Sequence, residues 1–162
     1  MRIREATAAD WPAIWPFFRA IVVAGGTIPY DPEITTEQGR AMWLLEAPGR
    51  TVVAVEDDGA VLGSANMHPN RPGRGAHVAS ATFMVDPGHA GRGVGRALGE
   101  HVLAWARAEG YRAMQFNAVV ETNARAVALW RSLGMEVLAT VPEAFLHPQE
   151  GYVGLHLMHR RL

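Results

Sequence analysis

Val85-Asp86-Pro87-Gly88-His89-Ala90-Gly91-Arg92-Gly93-Val94-Gly95-Arg96-Ala97-Leu98 is the stretch on which the reading of this chain turns. An apolar run ends at Val85, a glycine-rich turn follows, and helical spacing begins at Val94. The start of a helix leaves several N–H groups without partners and carries the positive end of the helix dipole. Glycines let an anion approach the backbone without meeting a Cβ. A turn of this kind is an anion cradle, and Arg92 and Arg96 place positive charge beside it. Two familiar phosphate loops fail here. A P-loop needs Gly-Lys followed by Ser or Thr, and the chain has none. A dinucleotide fingerprint needs a third glycine where Leu98 stands, directly after the first strand of a βαβ unit.

Working outward, Ile3–Ala6 opens as a strand, and Thr7-Ala8-Ala9-Asp10 reads as a capping box. Trp11, Ile14, Trp15, Phe18, Ile21 and Val22 recur at helical spacing up to Gly25-Gly26. Thr27–Pro32 is a loop, and Thr35 or Thr36 caps a second helix running through Met42, Leu44 and Leu45 to Pro48-Gly49. Strands follow at Thr51–Val55 and Val61–Met67, joined by the turn Asp57-Asp58-Gly59. A third strand is expected at Val78–Val85, then the helix Val94–Glu109 and a strand at Ala113–Val120. A helix capped by Thr122 or Asn123 ends at Gly134. Val137–Val141 and Val153–His159 read as strands, with Pro142–Gly151 as a loop between them. Hairpins first and β-α-β-α later imply an α/β (α+β) fold: a mixed, mostly antiparallel sheet with helices on both faces.

The 162 residues fit one domain, 1–162, with no linker, repeat or low-complexity tract. A net charge of −1 offers no basic field, so no nucleic acid is expected as a partner. The absence of cysteine excludes a disulfide scaffold, a thiolate metal site and a cysteine nucleophile. The seven histidines are scattered, so no metal is expected. No leader or membrane span is legible, and the expected location is the cytoplasm.

The glycine-rich loop resembles the signature of the GNAT acetyltransferase superfamily: Gln or Arg, two residues, Gly, one residue, then Gly or Ala, after a strand. Gly91–Gly95 matches it, and Ala90 stands where the family has Gln or Arg. Asn123-Ala124-Arg125-Ala126-Val127-Ala128-Leu129-Trp130-Arg131-Ser132-Leu133-Gly134-Met135 resembles the family's second signature, N-x-x-A-x-x-L-Y-x-x-x-G-F. The resemblance implies a GNAT-like sheet with a splayed parallel strand pair and acetyl-CoA as cosubstrate. It assigns the coenzyme's pyrophosphate to the amides of Gly91, Arg92, Gly93, Val94, Gly95 and Arg96. It assigns the pantetheine arm to Phe83, Met84 and Val85, with Asn123, Ala126 and Trp130 beside it.

The same resemblance implies direct attack of an amine on the thioester, with the backbone N–H of Phe83 or Val85 as oxyanion donor. Trp130 replaces the family's acidic Tyr, and is expected only to wall the pocket, because an indole N–H donates but is not a useful acid. His77, Glu121 and Asp31 are the available candidates for a base. Gln115–Asn123, Trp130, Pro142–Phe145 and His68–Arg74 look like members that acetylate proline analogues such as azetidine-2-carboxylate. In those members an Asn on each splayed strand holds the substrate carboxylate; Asn117 matches one, and Ser80 stands where the other would be, a departure from the pattern. The resemblance also implies that Tyr30 and Pro29, on the early helix–helix loop, sit where family members often close over the substrate. The expected partner is therefore a small-molecule amine, and strand edges leave room for a homodimer. Two other functions fit the same signatures: a protein or peptide acetyltransferase, and a non-catalytic coenzyme A-binding regulator.

Overall fold

In the computed structural model, which describes residues 1–162, the elements run β1 (Arg2–Glu5), α1 (Trp11–Ala24), α2 (Thr36–Trp43), β2 (Arg50–Val55), β3 (Val61–Pro69), β4 (Val78–Val85), α3 (Val94–Ala108), β5 (Ala113–Val120), α4 (Ala124–Ser132), β6 (Glu136–His147) and β7 (Gly151–Arg161). They form one seven-stranded sheet in the order β1-β2-β3-β4-β5-β7-β6. All neighbours are antiparallel except β4 and β5.

Strand alternation sorts the side chains into two layers. Val53 and Val55 pack with Trp11, Ile14, Phe17, Phe18, Val22 and Trp43, the buried stripe of α1 and α2. Val52 and Ala54 pack with Val94, Leu98, Val102, Trp105, Val127 and Trp130 of α3 and α4. Along β4 the same alternation holds: Ala79 and Ala81 belong to the α3/α4 layer, and Met84 to the α1/α2 layer.

The ends of the helices follow from local chemistry. Arg4 donates to both Asp10 carboxylate oxygens, at 2.9 and 2.7 Å, and the Thr7 N–H donates to Asp10 at 2.7 Å. This network holds the Asp10 carboxyl at about 2, below its ordinary 3.8, chiefly through the Arg4 hydrogen bond. Thr35 and Gln38 cap α2 reciprocally, at 3.2 and 2.9 Å. That helix ends at Trp43, short of the expected Pro48-Gly49, because the Leu45 N–H leaves the helical ladder and donates to the Thr51 hydroxyl oxygen at 3.0 Å.

Pro142–Gly151 was expected as a loop, but β6 runs through it to His147. Pro142 lies on the outermost strand of the sheet, where a missing N–H costs no ladder bond. The register shifts between Val141 and Phe145, and Glu143 takes φ 53° within that bulge. The β6–β7 turn packs against the end of α1: a Cβ on Gly26 would lie 3.2 Å from His147 Nε2.

Candidate active site

β4 and β5 pair only at Val78 with Ala113 and Ala79 with Met114, and then part. The Asn70 N–H donates to the Val78 carbonyl at 2.7 Å, and the Asp86 N–H to the Leu62 carbonyl at 2.9 Å. With the β3–β4 register, these bonds commit the backbone of Ser80, Thr82 and Met84 to β3. The N–H and C=O groups of Ala81, Phe83 and Val85 therefore point the other way, into the gap beside β5.

A cavity of about 410 Å³ occupies the gap. Its α3/α4 side is lined by Phe83, Val85, Phe116, Asn123, Ala126 and Trp130. Its α1/α2 side is lined by Tyr30, His68, Ser80, Thr82 and Asn117, under the loop Thr27–Tyr30. Pocket and sheet together make a passage from one face to the other.

The glycine-rich loop lies at the α3 end. Gly91 and Gly93 both adopt φ 82°, a left-handed conformation that a Cβ would strain. No N–H from Gly91 to Arg96 donates to a group of the protein; the first helical donor is Ala97, to the Gly93 carbonyl at 3.0 Å. Six consecutive amides are thus left for an outside acceptor. Gly95 differs from the other two glycines. A Cβ there would lie 3.3 Å from Leu129 Cδ2, so its small size serves the packing of α3 on α4. The arginine side chains are also differently disposed than expected. Arg92 bridges to Glu56, and Arg96 donates to Ser132 Oγ at 2.8 Å. His89 is held by Asp86 at 3.1 Å. The cation that faces the loop is Arg125, with Nη2 3.9 Å from where a Gly91 Cβ would stand.

Asn123 caps α4, accepting from the Ala126 N–H at 3.3 Å, and lines the cavity as well. Trp130 packs against both Phe83 and Phe116, with ring centroids at 4.5 and 5.0 Å, and those two rings meet edge-on at 5.5 Å. Met84 lines the cavity, but its backbone is tied to Ser64 on β3, so it offers no amide to an extended ligand. On the opposite side, Asn117 Nδ2 donates to Asn70 Oδ1 at 2.7 Å, and Asn117 Oδ1 accepts from Gln115 at 2.9 Å. One Asn117 N–H remains free. Val119 does not share its side as alternation implies. The β5–β7 register shifts after Phe116, and Val119 joins the Phe116 cluster.

Three expected site residues lie elsewhere. His77 precedes the paired end of β4 and lines a groove with Arg50 and Tyr111, outside the cavity. Glu121 turns to β7, where its carboxylate accepts from the Gly154 N–H. Asp31 is outside the lining too, and caps its own turn at the Glu33 N–H, 2.8 Å away. Tyr30 and His68 are the two titratable groups among the lining residues. Burial pushes the Tyr30 phenol up, partly offset by the Thr82 hydroxyl, so it is a neutral donor. Thr82, His68 and Arg125 carry no local sequence signal. Their places depend on register and on helix packing.

The family model described as Acetyltransferase (GNAT) family matches residues 7–135. The chain is 31% identical over 112 residues to the N-acetyltransferase aca1 of Schizosaccharomyces pombe, covering 68% of this chain and 54% of that protein. It thus spans about half the length of that relative. It is 30% identical over 146 residues to the L-methionine sulfoximine/L-methionine sulfone acetyltransferase of Salmonella typhimurium, covering 88% of this chain and 84% of that one. Among solved structures, a GCN5-related N-acetyltransferase from Kribbella flavida superposes with a TM-score of 0.97 at 64% identity, over 99% of this chain and 97% of that one. The yncA protein of Salmonella typhimurium, solved with its cofactor acetyl-CoA, gives 0.84 at 27% identity, over 100% and 94%. On the family model and these relatives, the chain belongs to the GNAT acetyltransferase family.

Proposed function

We propose that this chain, acting as one domain in the cytoplasm, transfers the acetyl group of acetyl-CoA to the amine of a small molecule, an amino acid or proline analogue. The carrying observation is the cavity between β4 and β5: the free amides of loop 91–96 adjoin the Val85 end of β4, and the cavity's lining holds no carboxylate, ammonium or guanidinium. Amides 91–96 would hold the pyrophosphate, with Arg125 as the nearby cation. The pantetheine arm would lie along the unpaired edge of β4, against Asn123, Ala126 and Trp130. That edge aims the Phe83 and Val85 N–H groups at the thioester carbonyl, where an oxyanion donor is worth roughly 3 kcal/mol. Holding amine and thioester in one cavity removes much of the entropic cost of their meeting.

The amino acid reading is supported by the neutral donors Asn117, Ser80, Thr82 and Tyr30. Such donors hold a carboxylate without burying a second charge. The Salmonella typhimurium relative named for methionine sulfoximine and methionine sulfone supports the same class. A thiol-release assay with acetyl-CoA should therefore find its best acceptors among free amino acids and proline analogues. A clear preference for polyamines or peptides would overturn the substrate class. No thiol release with any amine, despite tight coenzyme binding, would favour the regulator instead.

A further inference from the structure

The chemistry proposed above leaves one proton unassigned. An amine that attacks a thioester forms an N–C bond and must lose a proton before the amide is stable. The lining of the cavity narrows the acceptor to one side chain. It contains no Asp, Glu, Lys or Arg, and its titratable residues are Tyr30 and His68. A neutral phenol donates and does not take up a proton at neutral pH. His68 remains.

The geometry of His68 suits the task. It stands opposite Ser80 in the β3–β4 register, on the face occupied by Asn66 and Thr82. Its Nδ1 lies 2.8 Å from the Pro69 carbonyl oxygen. A carbonyl only accepts, so Nδ1 carries the proton, and the neutral ring keeps its lone pair on Nε2. Nε2 has no hydrogen-bond partner within the protein and is not sealed from solvent. A backbone carbonyl that fixes the tautomer is the arrangement that orients a histidine base.

We propose that His68 Nε2 takes the proton from the attacking amine. The N–C bond forms as the proton moves from nitrogen to Nε2. The C–S bond then breaks with its electron pair on sulfur, and the imidazolium returns the proton to the thiolate or to solvent. Amide and thiol are the products, and no other reactant is required. Ser80 of β4 pairs with His68, and the other polar groups lining the same side of the cavity are Thr82 of β4, Asn117 of β5 and Tyr30 of the α1–α2 connection, all uncharged at neutral pH. Arg71 and Arg74 follow it in the β3–β4 connection, outside the lining.

This inference rests on acetyl transfer within the cavity, but not on which amine is used, so the test is run on whichever amine reacts best. His68→Gln and His68→Ala should lower kcat about a hundredfold at neutral pH, the lower range of general-base contributions, with the KM for acetyl-CoA unchanged. Added imidazole should restore turnover to His68→Ala in proportion to its unprotonated fraction. The acidic limb of kcat/KM should lose the histidine ionisation and keep that of the amine. Both variants within threefold of the parent, with the same acidic limb, would overturn the proposal. A second readout needs no turnover. The nitrogen-15 resonances of His68 should report an unprotonated Nε2 and a protonated Nδ1 at neutral pH. The opposite tautomer, or a ring still charged at pH 8, would overturn the proposal as well. A preference for polyamines would sink the amino acid reading and leave this one standing.

Discussion

Trp130→Phe separates a wall from a participant. The indole is 7% exposed and packs at 4.5 Å from Phe83 and 5.0 Å from Phe116, over the bare backbone of Gly99. Truncation to Ala would open a large void and cost about 3–5 kcal/mol. Phe keeps one six-membered ring against both phenyl groups, so the cost should fall to about 1–2 kcal/mol. In a chain of this length each kcal/mol lowers Tm by about 2–4 °C. The expected result is therefore a Tm lowered by roughly 2–8 °C, with kcat for the best acceptor kept within about threefold. Differential scanning calorimetry and a thiol-release assay on the same preparation give both numbers. A hundredfold fall in kcat with coenzyme affinity intact corresponds to about 2.7 kcal/mol of transition-state stabilisation. That result would refute the wall, and would assign a role to the indole N–H, which makes no hydrogen bond within the protein.

Further expectations concern single side chains. Gly93→Ala adds a Cβ that meets nothing within 4 Å but strains a φ of 82°, so the fold should survive while calorimetry with coenzyme A shows affinity reduced tenfold or more, about 1.5–3 kcal/mol. Gly95→Ala should leave that affinity near the parent value, because its Cβ meets Leu129 and not the mouth of the loop. Asn117→Ala should raise the KM for an amino acid acceptor by tenfold or more, about 1.5–3 kcal/mol, and leave the affinity for coenzyme A unchanged. Asp10→Asn should destabilise by about 2 kcal/mol at neutral pH in urea titrations, since each pH unit of a lowered pKa is worth about 1.4 kcal/mol. Because the folded carboxyl lies at about 2 against an ordinary 3.8, its contribution is complete above the ordinary value and is lost as pH falls through about 2. The difference between parent and variant should close over that acid window.

β4 and β5 were legible in the sequence to the residue, because Val78–Val85 and Ala113–Val120 are apolar runs bounded by glycine, proline and charge. The cap at Thr7 was legible, and those at Thr35 and Asn123 to within one residue, because each rests on side chains within three residues. β6 was not, since Pro142 signals a break unless the strand is known to be an edge, and edges are decided by the whole sheet. The site shows the same division. Loop 91–96 announces itself by its glycines, whereas Arg125 faces it only because α4 packs on α3. Gly95 keeps its free amide in the loop, but the reason it lacks a Cβ is Leu129, a neighbour distant in sequence. His77 and Glu121 were candidates by chemistry, and the register turns both away from the cavity. His68 has the right chemistry and no local pattern. Pairing with Ser80 brings it to the cavity.

The central claim, that acetyl-CoA enters through loop 91–96 and lies between β4 and β5, is tested most directly by mapping backbone amide chemical shifts as acetyl-CoA is added. The largest changes should fall on Gly91–Arg96, whose amides have no partner in the protein, then on Phe83, Val85 and Asn123. The groove lined by Glu5, Arg50, His77 and Tyr111 should stay silent. Changes centred on that groove, or none in loop 91–96 at saturating coenzyme, would contradict the account.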